Sequence, residues 1–221
     1  MSLILNIDTA LERASVCLAN KSEVIQLSIN PVQKNDATWL HTAIIDLMQK
    51  TGISFNALQA IAVSIGPGSY TGLRVGLSAA KGFCFALNIP LIAIGTLEII
   101  AYAVKNEAID LVCPLVDARR MEVFTAIYDK RIFEKKGPAA MIINADSFAS
   151  LLADHSILFC GNGAGKLRNI IESKNASFSS PACNAAHMAE LSYNRFIKNE
   201  FAGLAYTEPL YIKEFYSAAR K

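Results

Sequence analysis

No uninterrupted apolar stretch in this 221-residue sequence reaches the roughly 18 to 20 residues that a membrane-spanning helix requires. Charged residues make up only 18% of the chain and nearly cancel to a net +2, which is too small to imply an autonomous nucleic-acid binder. The basic pairs Arg119-Arg120, Lys130-Arg131 and Lys135-Lys136 are read as surface pairs without interleaved stacking aromatics, so any RNA contact is expected to be shared with a partner. Histidine is limited to His41, His155 and His187, none of them four residues from another, which leaves no two-histidine helix for a metal hydrolase. Ser64 and Ser69 lack the nucleophile-elbow pattern of serine catalysis. Five widely spaced cysteines (Cys17, Cys84, Cys113, Cys160 and Cys183) are odd in number and mostly in apolar surroundings, so buried free thiols are expected rather than a disulfide framework. Met1 to Asp8 has no basic start and reaches a carboxylate early, so it reads as a strand of a cytoplasmic protein rather than as a leader.

What the sequence has in quantity is apolar residues, 52% of the total, enough to fill a core and to leave apolar surface over. That excess points to an oligomer. The most informative segment runs from Ala62 to Arg74, where a buried strand turns through Gly66-Pro67-Gly68 into a helix with almost no polar side. Pro67 fixes its own backbone angle, Gly66 and Gly68 can take positive φ, and Ser69 or Thr71 can cap the helix. The amides at that helix start could hold a phosphate, or be satisfied by a cap and water. At 100° per residue, Val75, Ala79, Gly82 and Ala86 gather on one side and Leu73, Leu77, Ala80 and Cys84 on the opposite one, with Arg74, Ser78 and Lys81 as the polar stripe. Gly72, Gly76 and Gly82 weaken a helix by roughly 1 kcal/mol each relative to Ala, so another backbone is expected close by. Burial between two layers of one domain and burial against a second subunit both satisfy this pattern.

Along the chain, strands are expected at Leu3 to Ile7, Ala14 to Ala19 and Glu23 to Ile29, then a helix from about Asp36 to Lys50 with Leu40, Ala43, Ile44, Leu47 and Met48 on one face. A strand at Ala60 to Ile65, the glycine-marked helix, a short strand near Pro90 to Ala93 and a helix from about Thr96 follow. After a polar stretch at Lys105 to Asp110 the order partly restarts, with strands at Leu111 to Val116, Glu122 to Tyr128 and near Arg131 to Phe133. A helix near Asp146 to Ala153, a strand at Ile157 to Cys160, helices near Lys166 to Ser173 and Ala185 to Lys198, and an extended end complete it. The expectation is a duplicated α/β architecture in two domains, 1–105 and 106–221.

Both halves open on a strand that ends in an aspartate, Asp8 before Thr9 and Asp117 before Ala118-Arg119. In this the chain resembles the ASKHA group of actin, Hsp70 and sugar kinases, whose paired aspartate hairpins face phosphates and magnesium. The first hairpin departs from that pattern: it reads Asp8-Thr9-Ala10-Leu11-Glu12, with no glycine to admit a phosphate and with Glu12 to repel one. The turn Gly161-Asn162-Gly163 stands where that group contacts adenosine, and equally serves as a tight strand-to-helix reversal. Asp8, Thr9, Gly66, Gly68, Asp117, Gly161 and Gly163 are therefore taken as a vestigial nucleotide cleft.

Four stretches in order carry a closer resemblance: Gly66-Pro67-Gly68-Ser69-Tyr70-Thr71-Gly72-Leu73-Arg74-Val75-Gly76, Ala80-Lys81-Gly82, Asp117-Ala118-Arg119-Arg120-Met121-Glu122-Val123-Phe124, and Glu208-Pro209-Leu210-Tyr211-Ile212. They resemble the bacterial TsaB family, also called YeaZ, over essentially the whole chain. The resemblance implies a duplicated ASKHA (actin-like ATPase, ribonuclease H-like) two-lobed fold and a noncatalytic scaffold role in threonylcarbamoyladenosine modification of tRNA, at the adenosine next to the anticodon. It implies a TsaD-like catalytic subunit as partner, a TsaE-like ATPase joining the pair, tRNA reached only through the complex, homodimers in the absence of the partner, and no cofactor of its own. The family's partner surface corresponds here to the helices at about Asp36 to Lys50 and Tyr70 to Leu87, with Trp39, Ala43, Leu47, Tyr70, Leu73, Arg74, Leu77, Ala80, Lys81 and Cys84 as candidate contacts. The rival expectation is an ASKHA-type ATPase or phosphotransferase using Asp8 and Asp117.

Overall fold

The computed structural model describes residues 2–32 and 36–213. In the first half, β1 (Leu3–Asp8), β2 (Ser15–Asn20) and β3 (Glu23–Ile29) form an antiparallel meander. The chain then makes α1 (Asp36–Thr51), β4 (Ala60–Ser64), α2 (Tyr70–Leu87), β5 (Leu91–Ile94) and α3 (Thr96–Ala103). β4 pairs parallel to β1 and β5 parallel to β4, which gives a mixed sheet in the order β3-β2-β1-β4-β5. Buried on both faces, β1 and β4 are nearly continuous apolar runs, as the centre of a covered sheet requires.

The second half repeats this plan. β6 (Leu111–Asp117), β7 (Glu122–Asp129) and β8 (Glu134–Ile142) form the meander, followed by α4 (Ala149–Asp154), β9 (Ile157–Cys160), α5 (Ala164–Arg168) and β10 (Ala176–Ser179). The sheet order β8-β7-β6-β9-β10 reproduces the first sheet strand for strand, with the same parallel and antiparallel joins. The expected duplicated α/β fold is present. The expected strand at Arg131 to Phe133 is a turn instead, and the real strand begins at Glu134. Lys135, Lys136, Gly137 and Pro138 disguise it, and they are tolerated because β8 is an edge strand.

The last helix, α6 (Met188–Ile197), returns to the first sheet. Contacts divide the chain into one unit of residues up to Ala103 with Pro181–Pro209, and a second of Val104–Ser180 with the described residues from Leu210. The simple division at residue 105 thus misplaces Pro181–Pro209. The reason is a missing layer: α1 and α2 cover the sheet face of Leu5, Ile7, Ile61 and Val63, while Met188, Ala189 and Leu191 of α6 cover Ile4, Ala60, Ala62 and Ile92 on the other face, beside Ile99 of α3. Arg195 of α6 holds Glu98 of α3 through both carboxylate oxygens, at 2.9 and 2.7 Å. The second unit has its own core, in which Phe159 packs edge-on to Phe148 and against Phe178. No helix among the described residues is long and apolar enough to cross a membrane.

Candidate functional site

The turn from β4 into α2 is built around close backbone approach. Gly66 has φ +114° and its carbonyl accepts the Thr96 amide, while the Ser69 hydroxyl caps α2 by accepting the Gly72 amide at 3.1 Å. A Cβ on Gly68 would collide with the Ala10 carbonyl, one on Gly72 with the Thr9 carbonyl, and one on Gly76 with the Thr9 hydroxyl. The backbone expected against these glycines is therefore the β1–β2 turn of the same sheet. It is tied there by the Ser69 amide donating to the Ala10 carbonyl (2.7 Å) and the Thr9 hydroxyl donating to the Gly72 carbonyl (2.7 Å).

This contact decides which flank of α2 faces inward. Leu73, Leu77, Ala80 and Cys84 are buried, the last three in the core that contains Leu5, Ile61 and Leu91. They were expected to face a partner, and they face the chain's own sheet. A helical wheel gives two apolar flanks but not the side on which the sheet lies. Ala43 and Leu47 of α1 are buried in the same core, and Trp39 packs against it beside Leu27 of β3.

The opposite flank is the open one. There Gly82 and Ala86 are exposed, Val75 and Phe83 are half-buried against the core and Ala79 is buried in it; with Ser78 of α2 and with Ala37 and His41 of α1 they line a groove of about 690 Å³. Among the described residues nothing beyond its own helix backbone and chain neighbours comes within 4 Å of a Cβ placed on Gly82, so here the helix offers its backbone outward. Phe83 stacks on Phe55 with ring centroids 5.7 Å apart. Arg74 also lines the groove and lies 4.0 Å over the Tyr70 ring; Phe85, farther along the same helix, is 80% exposed. Lys81 reaches the Ala205 carbonyl at 3.4 Å. Of the candidate contacts, Trp39, Tyr70, Arg74 and Lys81 thus retain exposed or half-exposed positions.

The two aspartate turns are each closed by their own unit. Asp8 is 1% exposed and accepts hydrogen bonds from the Ser64 hydroxyl (2.7 Å) and the Ala10 amide (3.1 Å). Asp117 accepts from Lys166 Nζ and from the Arg119 amide, both at 2.6 Å, while its own amide donates to Asn162 Oδ1 at 2.9 Å. Partial desolvation pulls the Asp117 pKa upward, but the hydrogen bond from Lys166, the Arg119 amide and the lysine charge outweigh it and hold the carboxyl below its ordinary value. Gly161 has φ +92°, and Gly163 packs on Leu115, so the glycine turn and Asp117 do come together. The pairing of Ser64, Asn162 and Lys166 with the aspartates was not foreseen in the sequence; they lie 45 to 56 residues from them, and no local pattern marks the partnership.

Both carboxylates are engaged by donors of the chain, and among the described residues no three His, Cys, Asp or Glu side chains gather to hold a metal ion. Burial pushes the Cys17 and Cys113 thiols up to about 12 and Cys84 to about 11, which keeps them protonated and poor nucleophiles.

A family model described as "TsaD: tRNA N6-adenosine threonylcarbamoyltransferase" matches residues 29–213. The TsaB protein of Bacillus subtilis (strain 168), described as a tRNA threonylcarbamoyladenosine biosynthesis protein, is 32% identical over 172 residues, covering 76% of this chain and 75% of that one. The TsaB protein of Haemophilus influenzae is 27% identical over 222 residues, covering 95% and 93%. Among solved structures, YeaZ from Pseudomonas aeruginosa superposes with a TM-score of 0.81 at 24% identity, over 96% of this chain and all of that one. The activator of 2-hydroxyisocaproyl-CoA dehydratase from Clostridium difficile, solved with ADPNP, shares the fold at a TM-score of 0.52 and 9% identity, over 90% of this chain and 97% of that one.

Proposed function

This chain belongs to the TsaB/YeaZ family of tRNA threonylcarbamoyladenosine biosynthesis proteins, and from that premise we propose that it is a noncatalytic subunit that binds and positions a TsaD-like catalytic subunit. The observation that carries this reading is the open flank of α2. Val75, Gly82 and Ala86 form a shallow apolar channel beside α1, and a pair of helices from a related fold would bury it as helix-on-helix packing does. Small residues let the two backbones come close, and the rim of Tyr70, Arg74 and Lys81 fixes register. A second copy of the chain uses the same flank when the partner is absent, so homodimer and heterodimer compete. A TsaE-like ATPase joins the assembled pair, and tRNA is modified on the partner.

Support for a noncatalytic role comes from the engagement of Asp8 and Asp117 within the chain and from the β1–β2 turn, which the start of α2 fills where an ASKHA enzyme needs room for phosphate. The deciding experiment is co-purification with a TsaD-like subunit on gel filtration. Gly82→Glu and Ala86→Glu, both at exposed positions of the groove, are expected to abolish the complex while leaving the melting temperature within a few degrees of wild type. Unchanged assembly in both variants overturns the assignment of this face. Robust ATP turnover by the isolated chain, lost in Asp8→Asn, overturns the noncatalytic role.

A further inference from the structure

The turn between β7 and β8 builds an exposed hollow outside the α1–α2 groove. Asp129 Oδ1 accepts the amides of Arg131 (2.9 Å) and Phe133 (3.0 Å), and its other oxygen pairs with Lys135 at 3.1 Å. The loop so fixed holds Ile132 at φ +64°, a left-handed conformation that a β-branched residue adopts only under constraint. It displays Phe133 at 63% exposure, with Ile109 at 70%, in a concavity of about 500 Å³ that Lys130, Arg131 and His155 also line. Exposed Phe and Ile side chains in one hollow are costly to leave in water. The remaining carboxylate of the hollow, Asp110, accepts the Ser156 amide at 2.9 Å. Among the described residues the Lys130 and Arg131 side chains have no hydrogen-bond or ion-pair partner, whereas the Asp110 and Asp129 carboxylates are engaged, so these two cations are what the hollow offers a ligand. The basic pairs were read as lacking an aromatic between them, and Phe133 stands between Lys130-Arg131 and Lys135-Lys136.

We propose that this hollow binds a nucleotide of an RNA strand, an unstacked base resting on Phe133 and Ile109 and the adjoining phosphates on Lys130 and Arg131. A planar apolar face beside unpaired cations is the chemistry by which proteins hold single-stranded nucleic acid. An acidic peptide would use the cations but leave Phe133 and Ile109 without a planar partner. The choice of RNA over a free nucleotide rests on the family reading above; the site itself does not, and it lies away from the α1–α2 groove in sequence and in unit.

The test is fluorescence anisotropy of the isolated, full-length chain with a labelled unmodified tRNA transcript, and with AMP as a second arm. Wild type is expected to bind the transcript and to weaken about 7- to 20-fold between 50 and 200 mM salt, as release of counterions from two or three single-strand phosphates predicts. Phe133→Ala is expected to weaken binding at least about fivefold and Phe133→Trp to restore it, as loss and return of a stacking platform require. Lys130→Ala with Arg131→Ala should flatten the salt dependence. Circular dichroism melts and assembly with a TsaD-like subunit should be unchanged in all of these, which separates failure here from failure of the α2 face. The proposal is overturned if the transcript does not bind, if Arg119→Ala with Arg120→Ala removes binding while the Phe133 variants do not, if only an acidic peptide binds the hollow, or if AMP binds with the same variant sensitivity and the transcript does not.

Discussion

Gly72 has no room for a side chain, because the Thr9 carbonyl occupies the place where its Cβ would go. Gly72→Ala must push the β1–β2 turn off the helix and break the Thr9 hydroxyl bond to the Gly72 carbonyl. The expected loss is about 1 to 3 kcal/mol or more, as for other overpacked sites, read as a lower urea midpoint with unchanged slope. Gly82→Ala meets nothing and should gain a few tenths of a kcal/mol to about 1 kcal/mol from helix propensity in the free chain. At Asp117 the folded pKa is depressed, so its contribution is complete above the ordinary carboxyl value of about 3.9 and is lost as pH falls through the folded value. Asp117→Asn should therefore melt lower than wild type above pH 5 and converge with it in stronger acid. A carboxyl NMR titration in a Lys166→Met background should show the Asp117 pKa moved back up.

Among the elements, α2 has the most to explain, since its two apolar flanks have different fates. Leu77→Glu and Ala80→Glu place a carboxylate in the core without a partner, which costs several kcal/mol, so both should unfold the first unit rather than merely prevent assembly. Cys84 checks the orientation directly. In the free chain its alkylation, mapped by mass spectrometry, should be negligible until denaturant is added, whereas a partner-facing thiol would react at once. The first meander, both long helices and the start of the repeat at Leu111 were legible from β-branched runs and i, i+3, i+4 spacing, because those patterns are local. β8 and the short β10 were not, since an edge strand with Gly137 and Pro138 and a four-residue strand carry little periodic signal. The side of α2 that meets the sheet, and the carboxylate partners Ser64 and Lys166, depend on tertiary placement, which spacing along the chain does not encode. The exposure of Phe133 belongs with them: whether an aromatic points in or out of a turn is set by the backbone that Asp129 fixes.

At the scale of the molecule, two similar sheets carry two separate cores, yet the covering of the first is drawn from both ends of the sequence. Met188→Ala, in α6, should cost about 2 to 5 kcal/mol through the cavity it leaves. Hydrogen exchange should then quicken in β1 and β4 while β6 and β9 keep their protection, because the damage falls on one cooperative unit. The same arrangement constrains synthesis. A ribosome that has finished α3 has made a sheet with one face only partly covered, by α3 itself, and it must translate the whole Val104–Ser180 segment before α6 can emerge. At roughly 5 to 20 residues per second that interval lasts on the order of 4 to 16 s, during which the nascent chain lacks the Met188, Ala189 and Leu191 side chains that complete the cover over Ile4, Ala62 and Ile92.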